Sequence, residues 1–448
     1  MSPRKSRPKP LSRASAAARG LLAVAAVAGL SGCLDQTPFP LTRSAFSGAA
    51  EPGSLGAPVE RTEERSQIIG DLQARRSVLA PGGTYAQIAQ GVLDNSAGTA
   101  QADLRVKRLQ AEARSKNWLP QIGPSVSLSK LGDVVASMVV DLVLFDNGGK
   151  RAEREFAVAD VEVAAVGYAD EMNSLVAQGI GHYLDAQEAR EQAGLARRAE
   201  GRLAEYNRIM KLRVKGGLSD MSEARVLAQK LAEMQATAAA DEGRARTALA
   251  QLQQMTTASV DGLSGLDRVE MPAAAPDSLA IKLAESERER AVAEAKMARA
   301  GILPKLGAEA RIADGSSDAG LTLGVGQMLG FGTGSQLKAV EAMQDAATAR
   351  VEKAKRDSAQ RQVELGAKLE ALSAREERGR SVTAQTGQSL DLFARQYKLG
   401  RRSLMELVSM YESFAAMERD QAALKYDIAR IKLEMLRERG ILVDGGRI

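Results

Sequence analysis

Most of this chain is a duplication. Three short landmarks occur in order and recur in the same order about 185 residues later, and self-similarity at a fixed period constrains a fold before any local signal does. Leu119-Pro120 returns as Leu303-Pro304. Leu144-Phe145-Asp146-Asn147-Gly148 returns as Gly330-Phe331-Gly332-Thr333-Gly334. Val214-Lys215-Gly216-Gly217 returns as Tyr397-Lys398-Leu399-Gly400.

Each copy reads the same way. A helix runs up to Leu-Pro, over about Tyr85–Trp118 (broken at Asn95-Ser96-Ala97-Gly98) and about Asp277–Ile302, and proline ends it. A β-hairpin follows. In the first copy its strands are Ile122–Ser129 and Val134–Phe145. In the second they are Leu306–Ile312 and Leu321–Leu329, about a turn at Asp314-Gly315-Ser316-Ser317. Then comes a very long helix, Lys150–Arg213 and Gln336–Tyr397. About 64 residues at 1.5 Å each reach roughly 95 Å, which implies a coiled-coil rod rather than a globular helix. A tight turn leads into a last helix, Asp220–Gln254 and Ser403–Arg439. In the latter, Leu404, Leu407, Tyr411, Phe414 and Met417 form an apolar packing seam. The predicted layout is a leader over 1–32, a mostly extended arm over 33–84, a first repeat over 85–260, a connector over 261–276, a second repeat over 277–442 and a tail over 443–448.

Composition agrees with rods. Aromatic residues are only 3% of the chain, so helices must pack through small side chains rather than around a large aromatic core. The formal charge of +5 does not signal a nucleic-acid partner. Arg4, Lys5, Arg7, Lys9, Arg13 and Arg19 precede Gly32 with no acid among them, and beyond that point basic and acidic residues nearly balance.

That basic stretch opens a secretory leader. The apolar run Leu21–Leu30 is too short to cross a bilayer, and Ser31-Gly32 lead to Cys33. Leu30-Ser31-Gly32-Cys33 resembles the lipobox of bacterial lipoproteins, which implies cleavage before Cys33 and acylation of that residue by fatty acids such as palmitate. Leu34, rather than Asp, favours the outer membrane. The other reading is an ordinary signal with an unrelated cysteine, although Cys33 is the chain's one cysteine and has no disulfide partner within it.

The strands alternate at period two. Met138, Val140, Leu142 and Leu144 share one face, with Ser137, Val139, Asp141 and Val143 opposite; Leu321-Thr322-Leu323-Gly324-Val325-Gly326-Gln327 alternates likewise. Such strands suit a membrane barrel, or else a soluble sheet packed on helices. Four strands cannot close a barrel, and lipid tolerates no open edge, so spanning strands require several chains; three would pool twelve.

At the two turns, Gly217 is followed by Asp220 and Glu223, and Gly400 by Ser403 and Glu406. Gly ends one helix, Asp or Ser caps the next, and Glu completes a capping box. Lys215-Gly216-Gly217-Leu218-Ser219-Asp220-Met221-Ser222-Glu223-Ala224 and Tyr397–Leu407 resemble the tip motif of the TolC-like outer-membrane efflux family, roughly Tyr-x-x-Gly-x-x-Ser-x-x-Asp-Leu. Leu144-Phe145-Asp146-Asn147-Gly148-Gly149 resembles that family's strand-to-helix junction. Val214 stands for the tip Tyr and Glu223 for the Asp in the first copy.

The resemblance covers about Tyr85 to Leu442. It implies a mainly α chain with membrane β: a long α-helical coiled-coil barrel in the periplasm, and four strands per chain in a twelve-stranded barrel of a homotrimer. It also implies a passive duct of a tripartite efflux or type I secretion system. The duct would be lipid-anchored in the outer membrane, docked by a periplasmic membrane-fusion adaptor at tips around Gly217, Asp220, Gly400 and Ser403, and driven by an inner-membrane pump or ABC transporter. Arg402 and Glu406 match residues that hold such ducts closed, while Ser409 stands at the second acidic position. A structural or adaptor coiled-coil lipoprotein is the alternative, although adaptors carry one helical hairpin rather than two rods each preceded by strands.

Enzyme chemistry is not expected. His182 is the only histidine and lies mid-helix, and no Gly-Lys-Ser/Thr follows Gly330–Gly334, so neither a catalytic set, a metal site nor a cofactor loop is predicted.

Overall fold

A computed structural model describes residues 66–96, 98–128, 134–260, 262–272, 274–313, 316–325 and 330–447. Cys33 and the leader lie outside the described residues. The elements run α1 (Gln67–Ala74), α2 (Thr84–Ser96), α3 (Gly98–Ser115), β1 (Gln121–Leu128), β2 (Val134–Phe145), α4 (Gly149–Lys215), α5 (Met221–Met255), α6 (Leu279–Ile302), β3 (Pro304–Ala313), β4 (Ser316–Val325), α7 (Thr333–Lys398) and α8 (Leu404–Glu438).

The two long helices have 67 and 66 residues, so each extends roughly 100 Å. α4 is the spine. It packs against α2, α3, α5, α6 and α8, whereas α7 packs mainly against α6 and α8. The buried face of α4 is rich in alanine (Ala165, Ala169, Ala186, Ala189, Ala193 and Ala196), which lets neighbouring backbones approach closely. Buried positions on α7 are few: Ala347, Val351, Ser358 and Leu365. Little of this helix is therefore held by burial within the chain.

Asp146 starts α4. Its carboxylate accepts from the amides of Gly148, at 3.2 Å, and Lys150, where the helix leaves donors unpaired and favours an anion. Asn147 Nδ2 donates to Pro304 O at 2.7 Å and joins this junction to the start of β3.

The two hairpins form one antiparallel sheet in the order β1-β2-β3-β4, so the β2–β3 pairing stitches the repeats together. The second hairpin differs from expectation. The ladder runs on to Ala313↔Ser316, so Ser316 and Ser317 belong to β4 rather than to the turn, and β3 starts at Pro304 itself. An Asp-Gly pair is enough to reverse a hairpin, which leaves both serines free to pair. Of the expected strand Leu321–Leu329, the part beyond Val325 lies outside the described residues.

The main core sits below the sheet. It gathers Leu72, Tyr85, Ile88, Val92, the α4 segment Val161–Leu184, Leu279, Leu433, Leu436 and Ile441–Val443. Both flanking stretches join this core. The arm over 33–84 is not extended throughout, since α1 forms over Gln67–Ala74, capped by Ser66 Oγ, and Leu72 and Leu79 are buried. The tail at 443–448 is not a free end. Val443 is buried, and Gly445 N donates to Arg75 O at 2.9 Å. In both cases apolar side chains within a polar-looking stretch find the core. The connector is pinned as well: Tyr183 Oη donates to Gly265 O at 2.8 Å, and Gln187 Nε2 to Leu263 O at 3.1 Å.

Below this core a charged layer joins the repeats. Arg430 pairs with Asp185 and Glu188 at 2.7 and 2.5 Å, and Lys425 with Glu191 at 2.7 Å. Asp241 of α5 is buried and pairs with Arg419 of α8, at 2.5 Å, and with Arg244. Burial pushes the Asp241 carboxyl up, but the bonds from Arg419 and Arg244 outweigh it and hold the group below the ordinary range. The Asp241→Ala substitution leaves Arg419 without its carboxylate. The expected cost is about 3 kcal/mol, read as a lowered denaturant midpoint, because removing one partner strands the other charge. An unchanged midpoint would show the layer to be a passive surface feature.

Candidate functional site

Two regions stand out, the sheet and the helical turns at the opposite end. In an antiparallel sheet directly paired residues share a face. The register therefore assembles Ile122, Pro124 and Val126 of β1, Met138, Val140 and Leu142 of β2, Ala308, Ala310 and Ile312 of β3, and Ala319, Leu321 and Leu323 of β4 on one face, with Ser317 as its polar member. Ile122, Val126, Ile312, Leu321 and Leu323 are all exposed, Leu323 at 78%. The opposite face carries Gln121, Ser125, Ser137, Asp141, Lys305, Glu309, Arg311, Asp318 and Thr322. On it Arg311 Nη2 donates to Glu309 Oε1 at 2.8 Å. The sheet has an oily side and a wet side, with the oily side uncovered.

A bulge between Val143 and Phe145 changes the expected alternation. Val143 pairs with Gly307 on the polar face. Phe145 then pairs with Leu306, so both Leu144 and Phe145 end up exposed beside the apolar face. An extra residue on one strand breaks the period of two, which sequence alternation cannot report. Pro124 sits in β1, an edge strand, where a missing amide costs no ladder bond.

The outer edges of β1 and β4 are unpaired within the chain. Exposed aromatic side chains mark the helix-proximal end of the sheet. Trp118 precedes β1, Phe145 ends β2 and Phe331 precedes α7. The sequence pattern does not single out Trp118 and Phe331 as a set. The available signal was the chain's single Trp directly before Leu119-Pro120.

At the far end the two turns have the same backbone. Gly217 has φ +70° and Gly400 φ +71°, a conformation that costs a residue with a Cβ roughly 1–2 kcal/mol. Gly217 N donates to Val214 O at 3.0 Å and Leu218 N to Arg213 O at 2.8 Å. Gly400 N and Arg401 N repeat this on Tyr397 O and Gln396 O, both at 2.9 Å. This is the glycine-ended pattern that satisfies the last carbonyls of a helix.

The caps differ. Ser403 forms the expected capping box: its Oγ accepts from Glu406 N at 3.1 Å, and Glu406 Oε2 accepts from Ser403 N at 2.8 Å. At the first turn Asp220 caps the amides of Ser222 and Glu223, but the expected box with Glu223 does not form. One Asp220 oxygen takes both amides and the Ser222 hydroxyl instead. Arg402 bonds Glu406 Oε1 at 3.2 Å and Gln396 Oε1 at 3.1 Å, and stacks over Phe393 at 4.7 Å. All these partners belong to its own helical pair. Exposed Leu212, Leu218 and Met221 surround the first turn, and Leu399 the second. Tyr206 and Tyr411 meet edge to face above them, 6.1 Å apart, so Tyr411 joins the predicted α8 seam to α4.

No helix among the described residues is long and apolar enough to cross a membrane, and no three potential ligands among them gather to hold a metal.

No protein-family model matches the sequence. No curated protein matches it either. Solved structures do. A membrane protein from Pseudomonas aeruginosa superposes with a TM-score of 0.71 at 17% identity, over 81% of this chain and 92% of the other. The outer membrane protein VceC of Vibrio cholerae gives 0.69 at 14%, over 80% and 96%. The open-state MtrE outer membrane channel of Neisseria gonorrhoeae gives 0.66 at 20%, over 81% and 91%. The neighbours are TolC-family channel proteins, not enzymes, and this chain shares their fold.

The side-chain hydrogen bond from Ser222 holds Asp220 below the ordinary carboxylate range, and the Ser403 amide, followed by Arg402, does the same for Glu406. A lowered folded value means that these caps stabilise the tips above the unfolded values and are lost as pH falls through the folded ones. Below about pH 4 the first turns of α5 and α8 should fray. Amide hydrogen exchange there should rise while the main core stays protected, and uniform loss across the chain would contradict the assignment.

Proposed function

We propose, on the premise that this chain has the fold of TolC-family outer-membrane channels, that it is one third of a passive duct through the outer membrane. The observation that carries the reading is a four-stranded sheet with one apolar face, one polar face and two unpaired edges. In hydrocarbon every backbone donor and acceptor needs a partner, so an isolated four-stranded sheet cannot sit there. Three copies joined edge to edge give twelve strands and leave no edge. The apolar face then meets lipid and the polar face lines the pore. Trp118, Phe145 and Phe331 would lie where the membrane meets the periplasm, the level that aromatic side chains favour.

The helices support the same stoichiometry. Along the rods α5 and α7 are the outer members of the chain's helical layer, and α7 is largely uncovered. In a closed ring the α7 of one copy meets the α5 of the next, which supplies the missing cover. The rods become a periplasmic tunnel. Its turns, around Gly217, Asp220, Gly400 and Ser403, are the docking points of a membrane-fusion adaptor, and an inner-membrane pump or ABC transporter supplies the energy in tripartite efflux or type I secretion. Arg402 and Glu406 act at the gate through the packing of their own helical pair. Removal of 1–32 and acylation of Cys33 hold the assembly to the outer membrane.

Face-specific substitution tests the barrel. Leu321→Arg places a charge on the lipid face and should cost about 2–4 kcal/mol if it lies near mid-bilayer, abolishing the trimer and its conductance in planar bilayers. Thr322→Arg, on the other face, should leave the trimer intact and shift ion selectivity. Equal tolerance of both, in a water-soluble monomer, would rule the duct out and favour a coiled-coil scaffold. Cys33→Ser should remove the acyl mass seen by mass spectrometry and release the chain from the membrane fraction when the barrel is also broken; an unchanged mass would end the lipoprotein assignment.

A further inference from the structure

α4 buries three amide side chains, and two of them are fully used. Asn173 Nδ2 donates to Ala169 O at 2.7 Å, and its Oδ1 accepts from Leu442 N at 2.9 Å. Gln192 Oε1 accepts from Arg244 at 2.9 Å and Arg419 at 3.4 Å, and its Nε2 donates to Glu188 at 3.2 Å. Asn207 is just as enclosed, at 7% exposure, yet its Oδ1 is shut away from water with no hydrogen-bond partner.

The position matters. Leu203, Asn207 and Met210 are spaced four and three residues apart and share one face of α4. Leu203 and Met210 are buried in the apolar cluster that joins the first helical pair to α8 near the tips, with Leu227, Leu404, Leu407 and Val408. Another apolar residue at 207 would continue that seam. An amide interrupts it with its oxygen shut from water and unpaired, and native proteins seldom keep such a group without a use for it.

We propose that Asn207 is a built-in weak point in the packed tip: its unpaired carbonyl oxygen penalises the packed state alone and so biases the helices of this apolar cluster to part. Parting rehydrates the amide, so the penalty disappears in the separated state. The weakening follows from the packing itself; that it eases opening of a gate rests on the duct function proposed above.

The test uses the purified full-length protein with Asn207→Leu and with the smaller Asn207→Val. Hydrogen exchange is read on peptides covering 203–215 and 404–408, with peptides over 161–184 as internal reference. Both variants should slow exchange at the tip by about tenfold or more and leave the reference unchanged. In planar bilayers they should open less often than the parent. A faster rate for the leucine variant with a slower one for the valine variant means that leucine overfills the seam, and the proposal stands. Exchange that neither variant slows overturns it. Should the parent protein show no conductance at all, the duct reading falls, while the exchange rates still decide whether Asn207 weakens the tip.

Discussion

Unpaired backbone along the outer edges of β1 and β4 is the constraint from which the rest follows. A sheet of four strands has two such edges and, here, an exposed apolar face. Water could satisfy the edges but not the face; hydrocarbon could satisfy the face but not the edges. The proposed duct meets both demands at once by joining copies edge to edge, and it would also cover α7, few of whose residues are buried within the chain.

Within one copy α4 carries the load in three different ways along its length. Near the sheet it is a side of the main core, where Met172, Val176, Ile180 and Tyr183 are buried among the first helices and the end of α8. In the middle it trades apolar contact for charge, with Asp185, Glu188, Glu191 and Gln192 facing basic groups of α8 and α5. Toward the tip it returns to a thin apolar seam broken by Asn207. Apolar burial therefore thins from the sheet to the turns, as the proposed gate at the tips would require.

The duplication made much of this legible. Landmarks at a constant offset located both hairpins and both turns, and β2 and the two Gly turns lie where the spacing put them. What the sequence concealed has physical causes. The bulge after Val143 is a property of pairing, which depends on β3 as much as on β2. Ser316 and Ser317 look like turn residues because serine is common in turns, yet they pair because two residues already suffice to reverse the strand. The Asp220 cap lacks the box found at Ser403 because its carboxylate takes the Ser222 and Glu223 amides but the Asp220 amide makes no return bond to the Glu223 side chain. The bond states of Asn173, Gln192 and Asn207 are invisible in a one-dimensional pattern, since their partners lie on other helices or do not exist.

The two ends of the described chain meet. Ser77 Oγ donates to Leu442 O at 2.8 Å, Val78 N to Ile441 O at 3.0 Å, and Arg75 spans Arg439 O at 2.6 Å and Asp277 O at 3.1 Å. Contacts separated by most of the polypeptide form late, because the intervening loop must first be closed. A chain made amino end first thus cannot shut its core until residues 439–442 have arrived. Until then α4 lacks the C-terminal segment that covers it, and the sheet above has no settled base.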